Sequence, residues 1–275
     1  MDSELKGWME RIEELRRMSW GHSSEQPTQI TEWLYVGGNL RSPEAWSKWF
    51  AEHPSLTHVV NCAAKDVRYA VNDSISLLKL EAVDEEGFDL FSFWPLVKSH
   101  VAEAKAVLFH CQAGINRSAA LAVAALCVHE QRPFLRVLRD SLQRRPGMLQ
   151  NRSFKRQLIH CIRTEGLLDS EADLDWWSAE VEHYQKQVHQ VFQLFAQDNS
   201  ADFDLFKELL HEVGETAIED HWHRMKMHRP LLPLAGGTIA DAVDEASAER
   251  WFRSDAPEVF EKLIGKLSEG DASSR

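Results

Sequence analysis

AVLFHCQAGINRS, residues 106–118, changes character twice within a few positions. Ala106–His110 is a short apolar run that reads as a buried strand, and from Arg117 onward SAALAVAALCVHE reads as a buried helix. The residues between are small or turn-forming, so Cys111 sits at a strand-to-helix turn. Backbone N–H groups of Gln112, Ala113, Gly114, Ile115, Asn116 and Arg117 can curl into a nest at the positive end of that helix, a setting that suits a dianion such as phosphate. Gly114 lets the loop bend and a ligand approach the backbone. Arg117 offers a planar fork for two phosphate oxygens at once, which lysine would not reproduce.

In that field a cysteine need not stay a thiol. Helix N-terminus, arginine and neighbouring donors all favour the anion, with a pKa lowered to roughly 3.5–7.5 in such surroundings. Thiolate attack on phosphorus, a cysteinyl-phosphate and hydrolysis by water follow as chemistry. Ser118 is placed to donate a hydrogen bond to the sulfur as it departs, and His110 is expected to point inward and fix the loop. The alternative is an inert buried cysteine in an ordinary strand–turn–helix, from which a reactive one differs mainly in its electropositive setting.

The string His110-Cys111-x5-Arg117-Ser118 resembles the signature of cysteine-dependent protein phosphatases, closest to the dual-specificity branch and its MAP kinase phosphatase-like and atypical members. The resemblance covers about residues 28–163, from ITEWLYVGG, which looks like that family's opening strand, to RRPGMLQNRSFKRQL, which looks like its closing segment. It implies an α/β fold with a mostly parallel central sheet flanked by helices. It also implies hydrolysis of phosphotyrosine and phosphoserine/phosphothreonine on proteins, without metal or cofactor. Cys111 would be the nucleophile, Arg117 would hold the phosphoryl group and Ser118 would assist thiolate departure.

Asp84, 27 residues before Cys111, stands at the position of the family's general acid, with Glu85, Glu86 and Asp89 as rivals on the same acidic loop. Family members acting on phosphoinositides tend to carry lysines inside the loop. Gln112, Ala113, Ile115 and Asn116 stand there instead, which favours a phosphorylated protein, a protein kinase among them, over a phospholipid. A phosphoprotein-binding scaffold with little turnover remains the competing reading, supported if Asp84 is out of reach or if the acidic region covers the site.

At 275 residues the chain is long enough for one catalytic core plus something smaller, and its net charge of −12 is unevenly spread. Residues 1–164 carry 21 Lys+Arg against 19 Asp+Glu; residues 165–275 carry 10 against 24. A boundary near Glu165 follows, giving an N-terminal helix and linker (1–27), a catalytic domain (28–164) and an acidic, mostly α-helical region (165–275) that packs on the core or acts as an adaptor. The acidic half argues against nucleic acid as a partner. No run has the length of a membrane span, and the charged helical N-terminus is not signal-like. Cys62, Cys111, Cys127 and Cys161 have neither paired nor metal-type spacing, which points to a reducing cytoplasmic or nuclear setting.

Smaller features carry further expectations. Leu5, Trp8, Met9, Ile12 and Leu15 form one apolar helix face, and Arg16-Arg17 with Met18 and Trp20 is either solvated surface or a kinase-docking cluster. Ser42-Pro43-Glu44 starts a helix and Asp89 caps another, in which Pro95 is expected to kink the axis. Cys62 is either a small core residue or a thiol able to trap oxidised Cys111. Arg139, Arg144, Arg145, Arg152 and Arg156 form either a solvated face or a basic rim for acidic phosphorylated segments. In the acidic region, 170–197 reads as a long helix, Asp202 caps FDLFKELLHEV and VFEKLIGKL is a last helix. AQDNSADFD lacks the alternating ligands of a calcium loop, and His221, His223 and His228 lack metal-ligand spacing. HRPLLPLAGG is a linker or a partner-binding strip.

Overall fold

The computed structural model describes residues 3–19, 24–197, 200–227 and 243–273. Trp20, the linker residues Gly21 to Ser23, Asp198, Asn199, His228 and the strip HRPLLPLAGG lie outside the described residues. Two compact units divide the chain, Met1–Asp175 and Trp176–Arg275.

The first unit is built on a five-stranded sheet in the order β1-β2-β5-β3-β4. β1 (Thr28–Gln29) pairs antiparallel with β2 (Leu34–Gly37), and the other pairings, among β2, β3 (His58–Asn61), β4 (Ser76–Lys79) and β5 (Val107–His110), are parallel. The sheet is therefore mixed, parallel but for its two-residue edge. Gly37 and Asn61 both stand opposite His110 in the register, so β2, β3 and β5 finish level and the loop after β5 emerges at their carboxyl ends. That is where open α/β sheets place their ligands.

Helices cover this sheet for reasons already visible in their composition. α4 (Arg117–Glu130) is buried continuously from Arg117 to Cys127. It is apolar on every side because it packs along β2 and β5 while α3 (Trp94–Ala102), α5 (Phe134–Arg144) and α6 (Arg152–Thr164) close round it. α1 (Ser3–Arg17) lays Trp8, Met9, Ile12 and Leu15 against α5 and α6. α2 (Pro43–Glu52) begins where Ser42 Oγ accepts the N–H of Ala45 at 3.1 Å, with Pro43 in the first turn. Its Trp49 and Trp46 lie against Tyr35 and His110, side chains that the two-residue pleat period puts on one face of β2 and β5.

Two expectations change on contact with the structure. Pro95 does not kink a continuous helix: a short 3-10 helix, Leu90–Phe93, capped by Asp89 through the N–H of Ser92, gives way to α3 at Trp94, and Pro95 occupies the first turn where a missing N–H costs nothing. The first unit also runs past Glu165, because residues beyond α6 fold back on it. The N–H of Leu167 donates to Ile162 O at 3.0 Å, and the Asp169 carboxylate accepts the N–H of Leu135 at 3.0 Å, capping the start of α5.

The second unit is helical and organised by aromatic rings. α7 (Glu171–Gln193) enters it and is followed by the hairpin of β6 (Ala196–Gln197) and β7 (Ser200–Ala201). α8 (Phe203–Glu212), α9 (Ile218–Met227), α10 (Glu245–Ser254) and α11 (Pro257–Ser273) come next. Asp202 caps α8 by accepting the N–H groups of Asp204 and Leu205 at 3.0 Å, and Gly214 follows its end with φ +78. Phe195 is fully buried and meets Phe192, Phe206 and Phe252 edge to face, with centroids 5.3–6.2 Å apart. Among the described residues no helix is long and apolar enough to cross a membrane. Phe195→Ala removes the centre of this cluster and is expected to lower the stability of the second unit by about 3–5 kcal/mol, read as an earlier transition in chemical denaturation of the full chain.

Candidate active site

Cys111 follows directly on β5 and is buried at the floor of the loop. Its Sγ accepts the N–H of Gly114 at 3.2 Å and the hydroxyl of Ser118, the second residue of α4, at 3.3 Å. Burial pushes the thiol pKa up. The Ser118 hydroxyl, the charge of Arg117 and the N–H groups of Ser118 and Gly114 outweigh burial and bring it below the usual thiol value. Arg117 is itself buried; one Nη donates to Ala82 O at 2.9 Å, while Nε has no hydrogen-bond partner among the described residues. A buried guanidinium N–H left open beside a thiol of lowered pKa is a site that an oxyanion would satisfy. Gln112 and Ala113 are exposed at the mouth, and Ile115 and Asn116 are half-buried.

The back of the loop is held by a residue whose sequence context gives no sign of it. Arg145 is fully buried; its guanidinium donates to Gly114 O, Gln26 O and Ser24 O at 2.9–3.0 Å, to the Thr28 hydroxyl at 2.9 Å and to Ala113 O at 3.4 Å. It therefore does not belong to a basic rim, because carbonyls on three sides take its donors inward. Burial brings its pKa down to about 10, and it remains a cation at neutral pH. Gly114 makes this approach possible: its φ is +72, and a Cβ there would collide with the Gly37 carbonyl and with Arg145. His110 does point inward, meeting the Tyr69 hydroxyl through Nε2 and the ring of Trp46 at 4.7 Å. Burial holds it neutral, with a pKa of about 3.

The acidic loop delivers Asp84 to the mouth. One carboxylate oxygen is 3.8 Å from Arg117 Nε; the Asn116 amide donates to both oxygens at 3.2 Å and the Asn151 amide to one at 3.1 Å. Asn116 Oδ1 in turn accepts the N–H groups of Gln150 and Asn151 at 2.7 and 2.9 Å, so the acid is tied to the catalytic loop and to the start of α6. The rivals are occupied elsewhere or uncommitted: Asp89 caps the 3-10 helix, Glu86 accepts the N–H of Arg152 at 2.8 Å, and the exposed Glu85 carboxylate, unlike that of Asp84, has no hydrogen-bond partner among the described residues. Asn151 and Tyr69 join Arg145 as residues that sequence reading does not assign to the site. Tyr69 meets His110 across 41 residues and Asn151 meets Asp84 across 67, distances at which no local pattern signals a contact.

Cys62 is fully buried and its pKa is pushed well up, by burial and then by the charge of Cys111. A thiol kept protonated is a slow attacking group, which fits a small core residue better than a resolving thiol. Among the described residues no cluster of His, Cys, Asp and Glu is placed to hold a metal ion. Because the Ser118 hydroxyl favours the Cys111 thiolate, Ser118→Ala is expected to raise the Cys111 pKa. The pH profile of iodoacetamide alkylation then moves to higher pH; an unmoved profile would remove Ser118 from that role.

Residues 35–164 match the family model of the dual specificity phosphatase catalytic domain. The chain is 27% identical over 150 residues to the dual specificity protein phosphatase OPG106 of Vaccinia virus, covering 50% of this chain and 85% of that one. It is 28% identical over 137 residues to human dual specificity protein phosphatase 18, covering 48% and 71%. Among solved structures, human DUSP28 aligns over 52% of this chain and 98% of its own with 19% identity and a TM-score of 0.45. Residues 35–164, with Cys111 buried ahead of the central helix, thus carry a dual specificity phosphatase catalytic domain, which supports a protein phosphatase enzyme.

Proposed function

We propose that the chain hydrolyses phosphotyrosine and phosphoserine/phosphothreonine in proteins through a cysteinyl-phosphate intermediate. One observation carries this reading: Cys111 Sγ lies between the Gly114 N–H and the Ser118 hydroxyl, with the open Nε of Arg117 and the carboxyl of Asp84 beside it. In the first step the thiolate attacks phosphorus, the P–O bond to the side chain breaks, and Asp84 gives its proton to the departing oxygen. The nest of N–H groups from Gln112 to Arg117 and the Arg117 fork take the charge spread over the phosphoryl oxygens. In the second step water attacks phosphorus, Asp84 accepts its proton, and the S–P bond breaks while Ser118 steadies the thiolate.

Of the two conditions that would favour a scaffold without turnover, an Asp84 out of reach is not met, since its carboxylate lies 3.8 Å from Arg117 Nε. Exposed Gln112 and Ala113, in place of loop lysines, support a phosphoprotein over a phospholipid headgroup.

The test is turnover of aryl phosphates and of phosphotyrosine and phosphothreonine peptides, in reductant without added metal. Cys111→Ser is expected to abolish hydrolysis, and rapid acid quench of the intact enzyme should trap phosphate on Cys111. Asp84→Asn should lower kcat about 10²–10³-fold for a phenolic leaving group of high pKa and much less for a highly activated one. A uniform loss across leaving groups would deny Asp84 its role as acid, and turnover surviving Cys111→Ser would end the covalent mechanism.

A further inference from the structure

A second basic feature lies next to the site, and the mechanism does not use it. Between α1 and the start of α6 runs a groove of about 550 Å³ into which Lys6, Arg16, Arg17, Arg152 and Lys155 project, against two carboxylates, both from α1. The charges are not equally available. Glu13 is taken by Arg16, at 2.6 Å, and by the buried Lys155, while Arg17 is paired at 3.0 Å with Glu14. Arg152 is exposed, and among the described residues its guanidinium forms no ion pair, the nearby Glu86 carboxylate being taken up by the Arg152 backbone N–H. The groove holds more positive charge than its own acids neutralise, and the surplus sits at its Arg152 end.

That end is continuous with the catalytic loop. The N–H of Gln150, a lining residue, donates to Asn116 Oδ1 at 2.7 Å; Asn151 holds Asp84; and the backbone N–H of Arg152 binds Glu86. The opposite wall is fastened to the same segment, since Arg16 Nε donates to Met148 O at 2.7 Å and the next residue, Leu149, donates to Ile115 O at 2.8 Å. A polypeptide whose phosphoryl group occupies the nest has to leave the mouth across its rim, and on this side it meets a fixed groove of positive charge.

Resting on the phosphatase reading above, we propose that this groove binds acidic side chains flanking the phosphorylated residue of the protein substrate, with Arg152 as the principal contact, so that α1 and α6 together set sequence preference. The occupant follows from charge complementarity and from continuity with the loop: a surplus of guanidinium and ammonium groups selects carboxylates, and such matching acts on specificity and encounter rate more than on chemistry.

The experiment compares kcat/KM of the full-length enzyme on phosphotyrosine peptides with three Glu, three Gln or three Lys on one side of the phosphorylated residue, then on the other side. Glu is expected to exceed Gln by about five- to tenfold on one side, with the advantage shrinking as salt is added. Arg152→Glu should reverse the order so that Lys exceeds Glu, a reversal that general damage to the fold cannot produce. Equal rates for Glu and Gln on both sides, or a Glu preference that survives Arg152→Glu, overturns the proposal while leaving the phosphatase reading intact. Failure of the intact enzyme to hydrolyse a small aryl phosphate brings down both.

Discussion

A loop that aims its N–H groups at an anion must turn its carbonyls the other way, and those carbonyls then need partners out of reach of water. Here a buried guanidinium supplies two of them, Gly114 O and Ala113 O, while the N–H groups of Asn39 and Leu149 take Gln112 O and Ile115 O. Arg145 gathers Gly114 O and Ala113 O from the loop and Ser24 O, Gln26 O and the Thr28 hydroxyl from the segment that leads into β1, with no carboxylate partner among the described residues. Its charge is spread over carbonyl dipoles, so the cation stays buried and still favours the thiolate in front of it. Two arginines thus divide the work: Arg117 leaves an N–H open toward the mouth, and Arg145 has its donors engaged behind.

What is legible in the sequence is what is local. The string from His110 to Ser118 encodes strand, turn and helix in contiguous residues, so the sequence by itself places Cys111, Arg117 and Ser118 together. Ser42 and Asp202 bind N–H groups two or three residues away, and their capping roles are readable for the same reason. Arg145 reads as rim because a run of arginines on an amphipathic helix looks solvated, and only its partners more than 100 residues upstream reveal otherwise. Tyr69 carries no sign at all, standing alone in an irregular loop. α9 and α10 escape sequence reading because their apolar residues are few and are interrupted by His, Arg and Ser, and because the aromatic cluster that fixes them is assembled from helices far apart in the chain.

The acidic loop illustrates a different limit. Its composition offers five carboxylates between Glu81 and Asp89, and side-chain chemistry cannot rank them. Two amides do: Asn116 and Asn151 converge on Asp84 from either side, and each is fixed by its own contacts, Asn116 by the turn before α6 and Asn151 as the cap of that helix. An acid held this way is organised before substrate arrives, so less of its ordering has to be supplied by binding.

The guanidinium behind the loop also relocates the edge of the domain. The family match begins at residue 35, yet Ser24, Gln26 and Thr28, which solvate Arg145, lie upstream of it. A chain trimmed to the matched segment would keep Cys111, Arg117 and Asp84 and lose three of the acceptors that let a positive charge exist in the interior. The buried charge behind the catalytic loop therefore depends on residues that lie before those by which the family is recognised.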